Sequence, residues 1–192
     1  MALDDVMAAL KERFGERSFE LRPLMVYKDG RESGQYWIRV EPAELLEVMR
    51  FLRDDPRCRF DFLCDVTCVD YLNFPDAEDR FGVIYALVST VHNHRLWVKV
   101  FVNDPDPEVP SVTGIWRGAE WPEREVYDLF GIRFEGHPDL RRILCPDWFT
   151  CHPLRKDYPL TGRGEREQFE IVYRDSTAGG GVKLEPAEGE RT

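Results

Sequence analysis

The chain has 192 residues, of which 43% are hydrophobic and 32% are charged, and both values are ordinary for a globular protein with its own core. Its formal net charge of -10 argues against binding to nucleic acid or to anionic lipid, because both require clustered positive charge. The longest apolar run, residues 81–91, is about half of the length that a membrane-spanning helix requires. We therefore expect a chain without nucleic-acid contacts and without a transmembrane segment.

The N-terminal residues and the cysteines indicate the compartment. Residues 1–14 include the acids Asp4 and Asp5 and lack an uninterrupted apolar core, so they do not resemble a secretory signal. Five cysteines are an odd number, and their spacing matches no common disulfide or metal-cluster framework. Reduced thiols in a cytosolic compartment are the simplest interpretation.

Apolar residues recur at helical spacing in two segments of the N-terminal third. The first, residues 2–14, is predicted to be an amphipathic helix that Gly15 ends. The second is predicted from Pro42 to Leu52, with its apolar side chains facing inward. Between the two helices, Tyr36 to Val40 has the composition of a strand.

From Phe60 onward the apolar residues alternate, which predicts strands. In the first of these strands, alternation places one set of side chains on a buried face: Phe60, Phe62, Cys64, Val66 and Cys68. An almost wholly apolar strand, residues 81–90, follows an acidic loop at 73–80, and residues 92–94 connect it to an alternating strand at 96–102. Short connections favour antiparallel neighbours. The predicted fold class is α+β, with an antiparallel or mixed sheet of about four strands backed by helices.

The pattern changes after the last of these strands. Residues 104–108 alternate acids with prolines and are expected to be extended. Pro122 and Gly131 then suit the first position and the end of a short helix. Beyond about Leu160 there is little apolar material for a core, and only residues 169–173 could add a short strand. We expect an extended C-terminal arm that becomes ordered by lying on a partner.

Few residues have the spacing of a metal site. Cys145, Cys151 and His152, with His137 nearby, form the most plausible group of ligands. Zinc and iron–sulfur sites usually contain two cysteines separated by two residues, whereas five residues separate this pair. A packing or solvent-exposed role is therefore favoured for these side chains.

Catalytic motifs are equally sparse. The sequence contains no glycine-rich nucleotide-binding motif and no serine-hydrolase motif. Glu123, Glu125 and Asp128 could form an acid/base set, although neighbouring carboxylates on a short helix more often form a salt-bridged surface.

The segment from Trp121 to Leu144 carries the most specific pattern in the chain. Its charged and apolar residues include Glu123, Arg124, Glu125, Asp128, Leu129, Phe130, His137, Arg141, Ile143 and Leu144. Through these residues the segment closely resembles the signature of the 30-kilodalton subunit family of respiratory complex I, the bacterial form of which is NADH-quinone oxidoreductase. A second matching block, His152 to Leu160, follows in the expected order, and a looser resemblance extends upstream to about Phe60.

The resemblance implies a subunit of a proton-translocating enzyme, NADH-quinone oxidoreductase, which passes electrons from NADH to quinone in the respiratory chain. It implies that this chain has no catalytic centre and binds no cofactor or metal, whereas partner subunits hold FMN and the iron–sulfur clusters. The expected partners are the 49-kilodalton-type subunit and neighbouring cluster-bearing subunits of the peripheral arm. The expected location is the cytoplasmic side of the bacterial inner membrane, as a peripheral part of the complex.

The resemblance also implies an α+β body, residues 1–137, and an extended arm, residues 138–192, that wraps the 49-kilodalton-type subunit. A dense set of charges is predicted to organise the join between body and arm and the contact with that subunit. Its members are Glu123, Arg124, Glu125, Asp128, His137, Arg141, Arg155, Lys156 and Asp157.

Two alternatives stay open on the sequence. The first is the equivalent subunit of a membrane-bound hydrogenase or of a dehydrogenase with another electron donor, because the donor binds elsewhere in such complexes. The second is a small thiol or metal enzyme that uses Cys145, Cys151 and His152.

Overall fold

The computed structural model describes residues 3–15, 19–75, 77–164, 171–174 and 182–185. Three α-helices lie in this part of the chain: α1 (Leu3–Phe14), α2 (Leu45–Asp54) and α3 (Glu120–Phe130). The first two agree with the predicted helices, because their apolar residues recur at helical spacing and are buried on one side. The contacts divide the chain into two compact units, Met1–Arg155 and Lys156–Thr192.

The first unit is built on a five-stranded mixed sheet with the strand order β1-β2-β5-β4-β3. The strands are β1 (Arg22–Pro23), β2 (Tyr36–Arg39), β3 (Phe62–Asp70), β4 (Phe81–Ser89) and β5 (His94–Val102). The pairs β3–β4 and β4–β5 are antiparallel, as their short connections predict, whereas β2 runs parallel to β5. The fold is therefore α+β, with a mixed sheet of one strand more than expected.

One face of the sheet, the inner face, packs against the helices and forms the core. Its buried side chains alternate along each strand and include Ile38, Val66, Cys68, Phe81, Val83, Tyr85, Leu87, Leu96, Val98 and Val100. They belong to one hydrophobic cluster with residues of all three helices, such as Leu10, Leu45 and Val126. Sheet and helices thus share a single core.

The start of β3 departs from the predicted alternation. The register with β4 shifts between Leu63 and Asp65, so the strand contains a β-bulge at Cys64. Because of the extra residue, Leu63 is buried while Phe62 and Cys64 are exposed. The prediction that Phe62 and Cys64 lie on the buried face is therefore wrong, and alternation holds only from Val66 onward.

Two short strands, β6 (Glu108–Pro110) and β7 (Arg133–Glu135), pair in parallel on either side of α3 in the sequence. A 3-10 turn over residues 117–119 leads directly into α3, which begins at Glu120. The prediction that Pro122 is the first residue of the helix is therefore wrong, because Pro122 is the third. At the other end, Gly131 adopts a left-handed conformation with φ of 79°, which matches its predicted role in ending the helix.

The second unit contains an antiparallel pair, β8 (Ile171–Arg174) and β9 (Val182–Glu185). The predicted strand at residues 169–173 overlaps β8, while its first two residues lie outside the described part of the chain. Residues 138–155 belong to the first unit, and the prediction of an arm that wraps a partner from residue 138 stays a prediction. Within the described residues, every helix is too short or too polar to cross a lipid bilayer.

The bulge in β3 can be tested by a matched pair of substitutions. Leu63→Ala should reduce the free energy of unfolding by about 2–4 kcal/mol, because it removes buried methyl groups and leaves a cavity. Phe62→Ala should cost less than about 1 kcal/mol, because the ring is 54% exposed. Urea unfolding of both variants measures the difference, and a larger loss for Phe62→Ala would contradict the observed register.

Candidate partner interface around helix α3

Helix α3 is unusual because three of its charged residues are buried. Glu123 and Asp128 are 0% exposed and Arg124 is 6% exposed. Charged side chains are rarely buried unless they are paired or hydrogen-bonded. The expectation of a solvated surface therefore fails for Glu123 and Asp128, whereas Glu125 is exposed.

Asp128 accepts four hydrogen bonds. Its Oδ1 accepts one from Nη1 of Arg142 at 2.6 Å. Its Oδ2 accepts three from consecutive backbone N–H groups, those of Ile143, Leu144 and Cys145, at 3.1, 2.7 and 2.8 Å. Burial opposes ionisation, but the three backbone bonds and the guanidinium outweigh it and lower the pKa of Asp128 to about 2. The carboxylate therefore stays charged and holds the chain at residues 142–145 against α3.

The last carbonyls of α3 are satisfied by the downstream segment at residues 152–154. The carbonyl of Asp128 lies 2.9 Å from Nδ1 of His152, which donates to it. The carbonyl of Leu129 accepts a bond from the backbone N–H of Leu154 at 3.1 Å. Carbonyls at the end of a helix have no partner inside the helix, so this segment replaces water as their donor.

Gly131 allows this close approach at the end of the helix. A Cβ atom at this position would lie 2.7 Å from the imidazole ring of His152, and the left-handed backbone would be strained by any side chain. Burial lowers the pKa of His152 below its usual value, which favours the neutral ring that packs here. The glycine thus ends the helix and admits the segment that follows.

Arg155 ties the end of the first unit to a distant loop. Its Nη2 lies 2.7 Å from both carboxylate oxygens of Asp104, and its Nη1 is 3.4 Å from the carbonyl of Phe130. Its guanidinium also stacks on the ring of Phe81, 4.9 Å from the centroid. A cation at the C-terminal end of α3 is favourable with the helix dipole.

Arg124 bonds to backbone and not to a carboxylate. Its Nε and Nη2 donate to the carbonyls of Arg141 and Arg142 at 3.1 and 3.0 Å. Its guanidinium lies over the ring of Trp121, 5.0 Å from the centroid. Among the described residues no carboxylate lies within ion-pair distance of Arg124, although Asp128 follows it by four positions. Helical spacing would allow Arg124 and Asp128 to pair with each other. Both instead bond to residues 141–145, beyond the helix.

Glu123 connects α3 to the loop that precedes it. Its Oε2 accepts a bond from Oγ of Ser111 at 2.6 Å, and its Oε1 accepts one from the N–H of Val112 at 2.8 Å. Burial raises the pKa of Glu123 to about 7, and these two bonds only partly oppose the effect. The group therefore titrates near neutrality while it positions the loop.

Of the remaining predicted residues, His137 and Arg141 belong to the first unit and Lys156 and Asp157 to the second. His137 contacts the carbonyl of Glu120 through Nε2 at 3.1 Å, and its Nδ1 accepts the N–H of Asp139 at 3.0 Å. Arg141 is exposed and pairs with Asp139 at 2.9 Å. Lys156 and Asp157 are exposed and belong to the second unit, where the carbonyl of Asp157 lies 3.5 Å from Nη2 of Arg163.

The structure brings together residues that the sequence analysis did not select. Ser111 and Asp104 bind Glu123 and Arg155, respectively. The sequence does display the paired arginines 141 and 142, and Arg142 is the cation beside Asp128. Asp104 lies 51 positions from Arg155, and no local pattern joins the two.

Exposed apolar side chains accompany the buried charges of α3. Four large ones lie on α3 or on the segment that follows it: Trp121, Leu144, Trp148 and Leu154. Exposed aromatic and aliphatic side chains beside fixed charges are typical of a protein interface. The described residues contain no group of three or more His, Cys, Asp or Glu side chains placed to hold a metal ion.

Comparison with protein families gives a match over the residues that form this site. Residues 38–164 match the model of a family described as the respiratory-chain NADH dehydrogenase 30-kilodalton subunit. A protein of Mesorhizobium japonicum, named as a subunit of NADH-quinone oxidoreductase, is 48% identical over 144 residues, which cover 73% of this chain and 70% of that protein. One of the same name from Cupriavidus metallidurans is 41% identical over 194 residues, covering 97% and 90%.

A relative from a eukaryote and two solved structures extend the comparison. The Candida albicans protein named NADH dehydrogenase iron-sulfur protein 3, mitochondrial, is 44% identical over 165 residues, covering 84% of this chain and 58% of that protein. A trypsin-resistant fragment of Nqo5 matches with a TM-score of 0.60 and 35% identity, over 73% of this chain and 100% of the fragment. A chain from a membrane-bound sulfane sulfur reductase matches with a TM-score of 0.65 and 20% identity, over 91% and 96%, which shows a common fold alone.

The role of Asp128 predicts an acid-dependent loss of stability. Its pKa is lower in the folded chain, about 2, than its ordinary 3.8, so its contribution is present above pH 3.8 and is lost as the pH falls through about 2. Asp128→Asn should cost about 3–5 kcal/mol at pH 7, because it breaks a buried ion pair. About 2 kcal/mol of the difference from wild type should disappear between pH 5 and pH 2.

Urea unfolding across this pH range measures the effect of Asp128→Asn. The matched control is Asp139→Asn, which removes an exposed carboxylate from an arginine pair and should cost less than about 1 kcal/mol. A constant difference between Asp128→Asn and wild type over the whole pH range would contradict the low pKa.

Glu123 predicts the opposite pH dependence. Its folded pKa of about 7 lies above the ordinary 4.5, so its folded form favours the proton and stability falls as the pH rises from 4.5 through 7. Glu123→Gln removes this ionisation, and its stability relative to wild type should rise by about 2–3 kcal/mol between pH 5 and pH 8. Unfolding by urea tests this, with Glu125→Gln as the exposed control that should show no such slope.

Proposed function

The chain belongs to the family of respiratory-chain NADH dehydrogenase 30-kilodalton subunits, and on this premise we propose that it is a structural subunit of the peripheral arm of a proton-translocating NADH-quinone oxidoreductase. In this proposal it binds the 49-kilodalton-type subunit and neighbouring cluster-bearing subunits. It lies on the cytoplasmic side of the membrane, where its partners hold it. The enzyme's electron transfer from NADH to quinone takes place in those partners.

The arrangement around α3 is the observation that supports a role in assembly. The carboxylate of Asp128 and the guanidinium of Arg124 fix the chain at residues 141–145 through backbone atoms, so the surface that this segment presents is rigid. A rigid surface loses little conformational entropy on binding. Exposed Trp121 and Leu144 can then supply the apolar contact of an interface centre.

The surroundings of three of the five cysteine thiols are compatible with the proposal that the chain holds no iron–sulfur cluster. Burial raises the pKa of the Cys58 thiol to about 12 and raises that of Cys68 further, so neither is a ready thiolate ligand at neutral pH. Burial and the nearby Asp128 carboxylate raise the pKa of Cys145 as well. FMN and iron–sulfur clusters belong, in this proposal, to the partner subunits.

A second candidate is the equivalent subunit of a hydrogenase or of a dehydrogenase with another electron donor. The fold shared with a chain of the sulfane sulfur reductase is compatible with it, since that protein is described as part of an archaeal respiratory membrane complex. The higher identity to proteins named as subunits of NADH-quinone oxidoreductase favours the NADH enzyme. The co-purifying subunits decide between the two.

The test is purification of the tagged full chain from gently solubilised membranes, with identification of the co-purifying proteins and an assay of NADH oxidation by quinone. Recovery of the 49-kilodalton-type subunit with flavin, iron–sulfur clusters and NADH activity is the expected result. The same partner without NADH activity would indicate the second candidate. Recovery of the chain alone would overturn both.

Arg124→Ala should lower the amount of assembled complex several-fold, because it removes the two bonds that fix residues 141 and 142. Each of the two carbonyls then loses this donor, which costs about 1–3 kcal/mol for a buried group. Native gel electrophoresis with an NADH activity stain measures assembly, and Arg133→Ala is the control because its guanidinium is exposed and pairs with Glu108.

Trp121→Ala separates binding from folding in the same assay. The ring is 60% exposed, so its loss should leave the free energy of unfolding within about 1 kcal/mol while it weakens assembly. Normal assembly and quinone reductase activity in both Arg124→Ala and Trp121→Ala would exclude this surface from the contact with the 49-kilodalton-type subunit.

A further inference from the structure

The face of the sheet opposite the core, the outer face, carries aromatic and basic side chains. The registers of β2, β4 and β5 place Trp37, Trp97, Lys99 and Phe101 side by side on this face. The side chains of β5 on this face are only partly buried, whereas those on the inner face are buried. Helices cover the inner face, so the outer face is a separate surface of the first unit.

A pocket of about 550 Å³ lies on the outer face. Its aromatic floor is formed by Trp37, Phe101 and Tyr71, whose rings contact one another edge to face or at a tilt. Gly82 makes room for this floor, because a Cβ atom there would lie 2.9 Å from the Tyr71 ring and 3.1 Å from that of Phe101. Phe74 packs on Tyr71 at the rim.

Lys99 is the cation of this pocket that lacks an acidic partner among the described residues. Its Nζ lies over the ring of Trp37, 4.3 Å from the centroid. The side chain is half-buried, and burial lowers the pKa of its ammonium group. The other two cations of the pocket have acidic partners. Arg39 pairs with Asp79 and Glu41, and Arg22 pairs with Glu20.

The charge of Lys99 determines the chemistry of a complementary ligand. A half-buried ammonium group over an aromatic ring gains from the ring, and a carboxylate is the counterion that no described residue supplies to Lys99. Two acids line the pocket, but Asp79 pairs with Arg39, and Glu78 is exposed and forms no ion pair with Lys99. The apolar surface next to it favours a protein segment over a small anion. Phe74 is 58% exposed at the rim, and the outer-face residue Val69, which pairs with Gly82, is exposed as well. A free anion would leave these side chains in water.

We propose that the aromatic pocket around Lys99 is a second docking site, which takes an acidic side chain from a segment of a neighbouring subunit. The inference rests on the proposed function, because it requires an assembly with other chains. It differs from the contact at α3 in both its residues and its chemistry. The aromatic floor would supply apolar contact, and the Lys99 ammonium would fix the position of the incoming carboxylate.

Photo-crosslinking in the assembled complex tests this site. Benzoylphenylalanine replaces Phe74 at the rim of the pocket in the tagged full chain, and the crosslinked peptide is identified by mass spectrometry after purification. Benzoylphenylalanine at Val91 is the control, because that residue is similarly exposed but lies at the opposite end of β4 and β5. The Phe74 probe should crosslink to an Asp- or Glu-containing segment of a co-purifying subunit that the Val91 probe does not reach.

Substitutions of Lys99 then test the role of its charge. Lys99→Glu should lower the yield of the Phe74 crosslink roughly tenfold through charge repulsion, while Lys99→Arg should keep it within about twofold. Circular dichroism on the full chain verifies that both variants fold. A crosslink only to this chain, a crosslink to a segment without acids, or a yield unchanged in Lys99→Glu would each overturn the docking site.

The same purification keeps the two proposals apart. If the 49-kilodalton-type subunit and its partners co-purify but the Phe74 probe gives no crosslink to them, the docking site is wrong and the proposed function stands. If no other subunit co-purifies with the wild-type chain, the proposed function fails and the docking site fails with it.

Discussion

The carboxylate of Asp128 is the interaction on which the surface around α3 depends. It is fully buried and accepts hydrogen bonds from three backbone N–H groups and one guanidinium, and these bonds hold the chain from 142 to 145 against the helix. His152 and Leu154 then reach the last carbonyls of α3, and Gly131 leaves the space that the imidazole needs. Removing the carboxylate would leave three backbone N–H groups without their acceptor and Arg142 without its counterion.

Two acids on one short helix have opposite pKa shifts, and the number of donors explains the difference. Burial opposes ionisation of both, but Asp128 has four donors, one of them cationic, while Glu123 has a hydroxyl and one N–H. The helix is therefore held by a fixed charge toward its C-terminal end and by a titrating group near its start. The two connections respond to pH in opposite directions, so their joint contribution to stability is greatest at intermediate pH.

Local periodicity predicted the helices and most of the strands, because burial on one side imposes a repeat that the sequence displays. It placed Phe62 and Cys64 on the wrong face of the sheet. A β-bulge adds one residue to the strand and so exchanges the buried and exposed positions before it, and no residue type in the sequence marks this bulge. The parallel pairing of β2 with β5 and the bond between Asp104 and Arg155 join distant parts of the chain, and no short-range pattern encodes them. The family signature selected most of the charges around α3, but only the fold shows that three of them are buried.

The two surfaces of the first unit differ in what they leave unsatisfied. Around α3 the buried charges bond to the chain itself, and what remains exposed is apolar, such as Trp121 and Leu144. On the outer face of the sheet the aromatic side chains contact one another edge to face, and Lys99 carries a half-buried charge beside them. Burial of apolar area contributes to affinity but does not fix the orientation of a partner. A half-buried charge lowers the affinity for partners that lack an opposite charge at that point. In the proposed assembly, the apolar side chains beside α3 would supply affinity and Lys99 would supply selectivity for an acidic partner segment.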